Sequence, residues 1–460
     1  MIHRRALRAI VVTLGCSSFF VSHALTASAA GAGTESLADA LASAYADNPS
    51  LNAQRASLRA TDEGVPQALA GFRPSVSAGA SIGVENVTSG GASASAHPFA
   101  TSITVTQPLF TGFRTINGVK AADSAVLAAR EVLRNDEEQT LLSAVEAFMN
   151  LVQAQATLNL DKQNLDFLGQ QVKAAQDRLN VGEGTKTDVA QTNSSLASGQ
   201  ASYDSAVAQL NNAVANYEQV IGHKPRALGA ARSVENLLPK DLNAALAGAM
   251  TNHPSILAAS YNIDIAEYNV KIDEGTLLPT VELQGSLSHE DGGLSSNGNS
   301  ASAVASLSVP LYNGGSASSK VRQAKETLDQ ARMQLDSSRD EIRATTISAW
   351  GSLDAARAEI RSAESETNAQ NLVLSGEIEQ QKVGQATQLD VLNAQQTLLS
   401  ARVALITAQH DRVVASYTLL AALGKLTAQD LGLKVAIYDP TAHYEAVRDR
   451  WGGMRTPDGR

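Results

Sequence analysis

Two aspartates stand in the same phrase. Val181-Gly182-Glu183-Gly184-Thr185-Lys186-Thr187-Asp188-Val189 and Val383-Gly384-Gln385-Ala386-Thr387-Gln388-Leu389-Asp390-Val391 both read V-G-x-x-T-x-x-D-V, 202 residues apart. An exposed carboxylate can act in two ways in such a setting. Repeated around a narrow opening by copies of the chain, it concentrates cations and repels anions. Standing alone near a helix N-terminus, it is a solvated group that complements the helix dipole. Catalytic chemistry has less to work with. The run Gly182-Glu183-Gly184-Thr185-Lys186 resembles a phosphate loop but lacks the G-x-x-x-x-G-K spacing and a preceding strand. No H-E-x-x-H occurs, and the histidines lie apart without metal-ligand spacing. The expectation is a protein that is no enzyme and needs no metal or cofactor.

The repeated phrase belongs to a longer self-similarity. "DNPSLNAQ" from Asp47 answers "NHPSILAA" from Asn252, "FRPSVSAGAS" from Phe72 answers "LLPTVELQGS" from Leu277, and "VTQPLFTGF" from Val105 answers "LSVPLYNGG" from Leu307. A period near 200 residues is too long for a solenoid or propeller unit and marks duplication of a half-molecule. The halves read as residues 30–222 and 239–426, with a linker at 223–238 and a tail at 427–460. Each runs helix, two strands, very long helix, V-G phrase, second long helix.

Between Gly118 and Asn180 there is no proline, and apolar or small residues recur every seventh position through Ala144, Leu151, Leu158, Leu165, Val172 and Leu179. A companion row through Ala147, Ala154, Leu168 and Ala175 is interrupted by Asp161. Sustained heptads predict coiled-coil packing, and the alanines allow close helix approach. The rows Val189–Leu196–Tyr203–Leu210–Tyr217 and Leu392–Leu399–Ile406–Val413–Leu420 predict returning helices. The halves therefore form antiparallel hairpins, about 112–222 with its tip at 181–188 and about 314–424 with its tip at 383–390. Gly182 and Gly384 permit the turns, and Thr185 or Thr187, and Thr387, cap the returning helices.

Four segments of period two, about 74–87, 101–110, 279–290 and 301–311, lie at the opposite end from the tips. Apolar residues such as Val76, Ile82, Ile103, Val105, Leu283, Leu287 and Leu307 alternate mainly with serine and threonine, not with the long charged side chains of a solvated sheet. A soluble sandwich and outer-membrane barrel strands both alternate this way, but four strands cannot close a barrel without other copies. The linkers "VTSGGASASAHPF" and "EDGGLSSNGNS" read as exposed loops. Phe72, Phe110, Phe113 and Tyr312 sit at the strand ends nearest the helices, either as an interfacial girdle or as scattered core aromatics.

His3-Arg4-Arg5, the apolar run from Ala9 to Val21 and Ala27-Ser28-Ala29 make residues 1–29 a secretory signal peptide. Cys16, the only cysteine, lies in its apolar region; cleavage before it would make a lipoprotein instead. Loss of residues 1–29 leaves 33 basic against 46 acidic residues, a net charge of −13, which argues against nucleic acid or anionic lipid as partners.

The duplicated halves, paired strands, V-G tips and the junctions Pro108-Leu109-Phe110-x-Gly112 and Pro310-Leu311-Tyr312-x-Gly314 resemble the TolC-type outer-membrane efflux channels, over about residues 37–426. The tail "YDPTAHYEAVRDRW" and the first tip are similar to the branch serving type I protein secretion. The resemblance implies a mostly α fold with membrane β: a homotrimer whose twelve strands close one barrel in outer-membrane lipid, continued by a periplasmic α-helical tunnel. It implies a passive exit duct for protein or drug, opened by iris-like movement after an adaptor docks. The energy comes from an inner-membrane ABC or proton-driven pump. Adaptor docking falls on Val181, Gly182, Glu183, Val383, Gly384 and Gln385. The acidic constriction falls on Asp390 and Asn393, where Asn393 replaces a second aspartate. The family's closed-state latch would use Asp188, but Gln381 and Ala386 stand where its tyrosine and arginine belong. Lys186, Glu183 and Lys382 are the substitutes the sequence offers, and the tail is expected to strap the tunnel's middle. The competing reading is a soluble periplasmic coiled-coil scaffold or adaptor.

Overall fold

The computed structural model describes residues 34–294 and 297–459. The expected signal peptide and Cys16 lie outside these residues. Each half opens with more than the single helix expected. The first has α1 (Leu37–Asp47), α2 (Pro49–Asp62) and α3 (Gly64–Leu69), and the second has α6 (Leu242–Asn252) and α7 (Pro254–Gly275). The break is written in D-N-P-S and N-H-P-S. Proline suits the first turn of the next helix but holds the preceding residue extended, so Asn48 (ψ 121°) and His253 (ψ 128°) end one helix and cap the next.

The strands β1 (Ser75–Ile82), β4 (Phe99–Phe110), β5 (Thr280–Asp291) and β6 (Gly298–Ser308) form one antiparallel sheet in the order β1-β4-β5-β6. The register aligns Ala78 with Ile103, Ile103 with Leu287, and Leu287 with Ala301, so the apolar positions of all four strands share one face. The other face carries hydroxyl pairs, Ser286–Ser302 at 2.8 Å and Ser288–Ser300 at 2.7 Å. Two expectations needed correction. The first strand stops at Ile82, and within the supposed loop β2 (Glu85–Ser89) and β3 (Ala92–Ala96) make a separate hairpin. Gly90 and Gly91, at φ 61° and 86°, supply the left-handed pair its tight turn needs. The last strand ends at Ser308 instead of 311, leaving Leu311 and Tyr312 almost fully exposed.

Past the sheet run α4 (Arg114–Asn180) and α8 (Ser316–Lys382), each 67 residues or about 100 Å long. Their partners α5 (Lys186–Ile221) and α9 (Gln388–Ala422) are about half as long. They cover only the tip-side part of each rod; α7 packs along both α4 and α8 on the sheet side. At the junction, Gly112 takes φ 63°, and a Cβ there would lie 2.4 Å from the Gly275 carbonyl, so the sheet-to-helix corner admits no larger residue.

The core sits at mid-height. Leu41, Leu51, Leu141, Phe148, Leu151, Tyr217, Ile221 and Leu420 are all buried there, joined by Leu426 and Ala428 of the tail. The tail then follows the helices. Leu431, Leu433, Val435 and Tyr438 pack on that core, the Tyr438 amide donates to the Tyr45 hydroxyl (3.0 Å), and α10 (Ala442–Val447) buries Val447. His443 meets Asp62 at 3.0 Å, and the Tyr444 hydroxyl donates to Asp123 at 2.9 Å. No described helix is long and apolar enough to cross a membrane.

Candidate functional site: the paired hairpin tips

Both tips are built alike, and the shared phrase explains why. In the first, the Glu183 and Gly184 amides return to the Arg178 carbonyl at 2.9 and 3.1 Å, across Gly182 at φ 83°. In the second, the Gln385 amide returns to the Gln380 carbonyl at 2.8 Å, across Gly384 at φ 78°. The chain then extends for one residue, the threonine, which starts the next helix. Thr185 and Thr387 are the caps; Thr187 is already inside α5.

The aspartates close reciprocal capping boxes. Asp188 Oδ2 accepts from the Thr185 amide (2.9 Å) and hydroxyl (2.7 Å), while the Asp188 amide donates back to Thr185 Oγ1 (3.1 Å). Asp390 repeats this with Thr387 at 2.8, 2.6 and 3.2 Å. T-x-x-D is therefore a helix-start device in both copies. These hydrogen bonds hold both carboxyls below the usual carboxylate range, and the Arg178 charge adds to the effect on Asp188. Asp390 is thus charged as well as capping. It is exposed, and Asn393 lies exposed one turn further along the same helix.

The substitutes offered for the latch do not meet. Lys382 pairs with Glu379 on its own helix (2.7 Å), and neither Lys186 nor Glu183 is ion-paired among the described residues. Gln381 donates to Gln388 Oε1 at 2.8 Å. Gln388 is the residue that sequence reasoning missed. It is buried in the first turn of α9, its Oε1 also accepts from Arg178 of α4, and its Nε2 donates to Gln171 of α4 at 3.1 Å. One glutamine side chain therefore clasps the second hairpin to the first, close to both tips.

The clasp is the first rung of a ladder. One heptad along, Gln395 donates to Asn164 at 2.9 Å in a buried contact; further on Gln153 reaches Thr407 at 3.1 Å and Asn150 reaches His410 at 2.9 Å. Asp161, the interruption in the heptad row, is itself buried, and its carboxyl is pushed up by loss of solvent. The α4–α9 seam between hairpins is thus hydrogen-bonded, and within the second hairpin Arg402 of α9 also donates to Asn371 of α8 at 2.8 Å. Val181 and Val383 protrude at the tips, 71% and 69% exposed. No described cluster of His, Cys, Asp and Glu is grouped to hold a metal.

Residues 40–223 and 245–425 match the family described as "Outer membrane efflux protein". The chain is 44% identical over 432 residues to the outer membrane efflux protein BepC of Brucella suis, covering 93% of each chain. It is 25% identical over 414 residues to the outer membrane protein TolC of Escherichia coli, covering 86% of this chain and 84% of that one. Among solved structures, the Campylobacter jejuni CmeC outer membrane channel superposes with a TM-score of 0.76 at 16% identity, covering 90% of this chain and 89% of that one.

Proposed function

This chain belongs to the outer membrane efflux protein family, and from that premise we propose that three copies close one barrel and extend it as a helical exit duct through the periplasm. One observation carries the reading. The β1-β4-β5-β6 sheet has unpaired outer edges and a bare apolar face, with Val76, Ile82, Leu287 and Leu307 each at least 60% exposed. In water that face and those edges would aggregate; in a membrane barrel the face meets lipid and copies pair the edges. A soluble scaffold leaves both unexplained, and the family sets that alternative aside.

At the other end the protruding Val181–Glu183 and Val383–Gln385 tips offer two similar apolar knobs for an adaptor hairpin. An inner-membrane pump, ABC or proton-driven, would supply the energy. Nothing in the tips discriminates protein from drug cargo, and the duct needs only to open. Opening slides the second hairpin, α8–α9, against the first. The hydrogen-bonded α4–α9 seam suits this, because water can replace its bonds as they break.

Asp390 sets the mouth's selectivity in this reading, with Asn393 unable to add a second acidic ring. Because Asp390 also caps α9, alanine would confound two roles. Asp390→Asn keeps an oxygen for Thr387 and removes the charge. In planar bilayers it is expected to lower the cation-over-anion permeability ratio severalfold while leaving thermal stability nearly unchanged. Thr387→Ala should do the reverse, costing about 1 kcal/mol of stability with selectivity kept. Channels indifferent to Asp390→Asn would move the constriction elsewhere, and absence of any conductance would sink the duct.

A further inference from the structure

The tail does not end its course at mid-height. Beyond α10 it climbs to the foot of the sheet, where Arg73, two residues before β1, donates from Nη1 to the Arg450 carbonyl at 2.6 Å. The Arg73 guanidinium also lies 4.9 Å over the Trp451 ring, and Arg450 turns back to the Arg455 carbonyl at 2.7 Å. Trp451 is 74% exposed and Met454 is wholly exposed. Phe72, whose carbonyl is held by Gln107 of β4 at 3.0 Å, and the edge-to-face pair Phe110–Phe113 mark the same level.

We propose that this corner binds the headgroup of an anionic phospholipid in the inner leaflet, with Trp451 and Met454 entering the interface and Arg73, Arg450 and Arg455 holding the phosphate. The inference rests on the barrel reading, which places the foot of β1 at the membrane–water boundary. A tryptophan ring suits that boundary because it is apolar in body with one polar N–H. The charge is local. Residues 448–455 carry Arg448, Arg450 and Arg455 against Asp449, flanked by Glu445 and Asp458, and Arg73 joins them, in a chain whose formal net charge is −10. Chain-wide acidity, which argued against anionic lipid, therefore does not describe this corner. The tail's hold on the helices fixes it: Val447 is buried, and Arg130 and Arg448 lie at 5.3 and 5.8 Å from the Tyr444 ring. The strap thereby links the tunnel's middle to the lipid surface.

The test uses full-length protein carrying Trp350→Phe, so that Trp451 is the sole tryptophan. It is reconstituted in phosphatidylcholine vesicles doped with brominated phosphatidylglycerol or brominated phosphatidylcholine, whose bromines quench a nearby indole. Half-quenching is expected at a roughly fivefold lower mole fraction of the anionic lipid, a preference lost at high salt. Arg450→Gln with Arg455→Gln should abolish the preference, and Arg455→Gln alone, whose backbone contact is kept, should weaken it. Vesicle flotation reports barrel insertion separately. Protein that floats but shows no quenching, or equal quenching by both lipids, overturns the headgroup site and leaves the duct standing. A change in Trp451 emission with inorganic phosphate alone, in detergent, would make this a soluble-anion site and overturn the lipid assignment. A chain that does not float takes the barrel reading down with it.

Discussion

Gln388→Ala is expected to hold the tips open. The substitution removes three hydrogen bonds from one buried side chain, and the groups left behind do not recover equally. Arg178 loses an acceptor for a charged donor, worth about 1.5–3 kcal/mol, and Gln171 loses a neutral bond worth about 1 kcal/mol; the Gln381 bond lies within the second hairpin and adds nothing to the clasp. Even with water replacing part of this, roughly 2 kcal/mol per chain is withdrawn from the clasped arrangement, about thirtyfold in its population. Single channels should pass from a small to a severalfold larger conductance. Gln388→Glu provides the control. A carboxylate still accepts from Arg178 and Gln381, and more strongly, losing only the bond to Gln171; it should stay closed. If Gln388→Ala channels conduct like the wild type, contacts between chains hold the mouth, not this clasp within one chain.

The clasp also shows where sequence reading stops. Heptads, V-G turns and T-x-x-D boxes are local patterns, so the hairpins and their caps were legible from residues a few positions apart. The strand faces were legible for the same reason. Gln388 pairs with Gln171 and Arg178 more than 200 residues away, and nothing near any of them announces the pairing. A signal did exist in retrospect: Asn164 and Gln171 on α4, and Gln388 and Gln395 on α9, are polar pairs spaced seven residues apart, and their mutual hydrogen bonding makes their place between the helices tolerable. The β2–β3 hairpin was missed for another reason. Its Ser-Gly-Gly core and small side chains have the composition of a loop, and only the alternation around the glycine pair argues for strands. The lipid corner was obscured by averaging, since a net charge summed over the chain hides the meeting of Arg73 with an arginine-bearing tail segment 377 residues away.

Stability should depend on pH through two buried groups at mid-height, and the duplication itself supplies one of the tests. Glu138, on α4, is 97% buried with Oε1 unpartnered among the described residues. Burial pushes its carboxyl up to about 8, against attraction from Arg134 and with repulsion from Glu137, Asp430 and Glu131. His253, the cap of α7, accepts the Ser255 amide on Nδ1 at 3.2 Å, and burial beside Arg134 pushes it down to about 4. The signs are opposite. Glu138 is raised relative to the unfolded chain, so its contribution is complete below about 4.5 and is lost as pH rises to about 8. His253 is depressed, so its contribution is complete above about 6.5 and is lost as pH falls to about 4. The spans are worth at most about 5 kcal/mol per chain for Glu138 and about 3 kcal/mol for His253, or about 5 and about 3 °C in a chain of this size. Glu138→Gln should therefore raise the melting temperature at pH 8 and leave it unchanged at pH 4. His253→Asn installs the residue that Asn48 provides at the matching cap, where its Oδ1 takes the Ser50 and Leu51 amides at 2.9 and 3.2 Å. It should raise the melting temperature at pH 4 and leave it unchanged at pH 8. Thermal scans of both variants at pH 4, 6 and 8 decide the matter. An identical shift at every pH would mean that packing, not charge, is what these two side chains contribute. No shift for Glu138→Gln at pH 8 would mean that a second copy in the proposed trimer brings a cation to a carboxylate that one chain leaves alone.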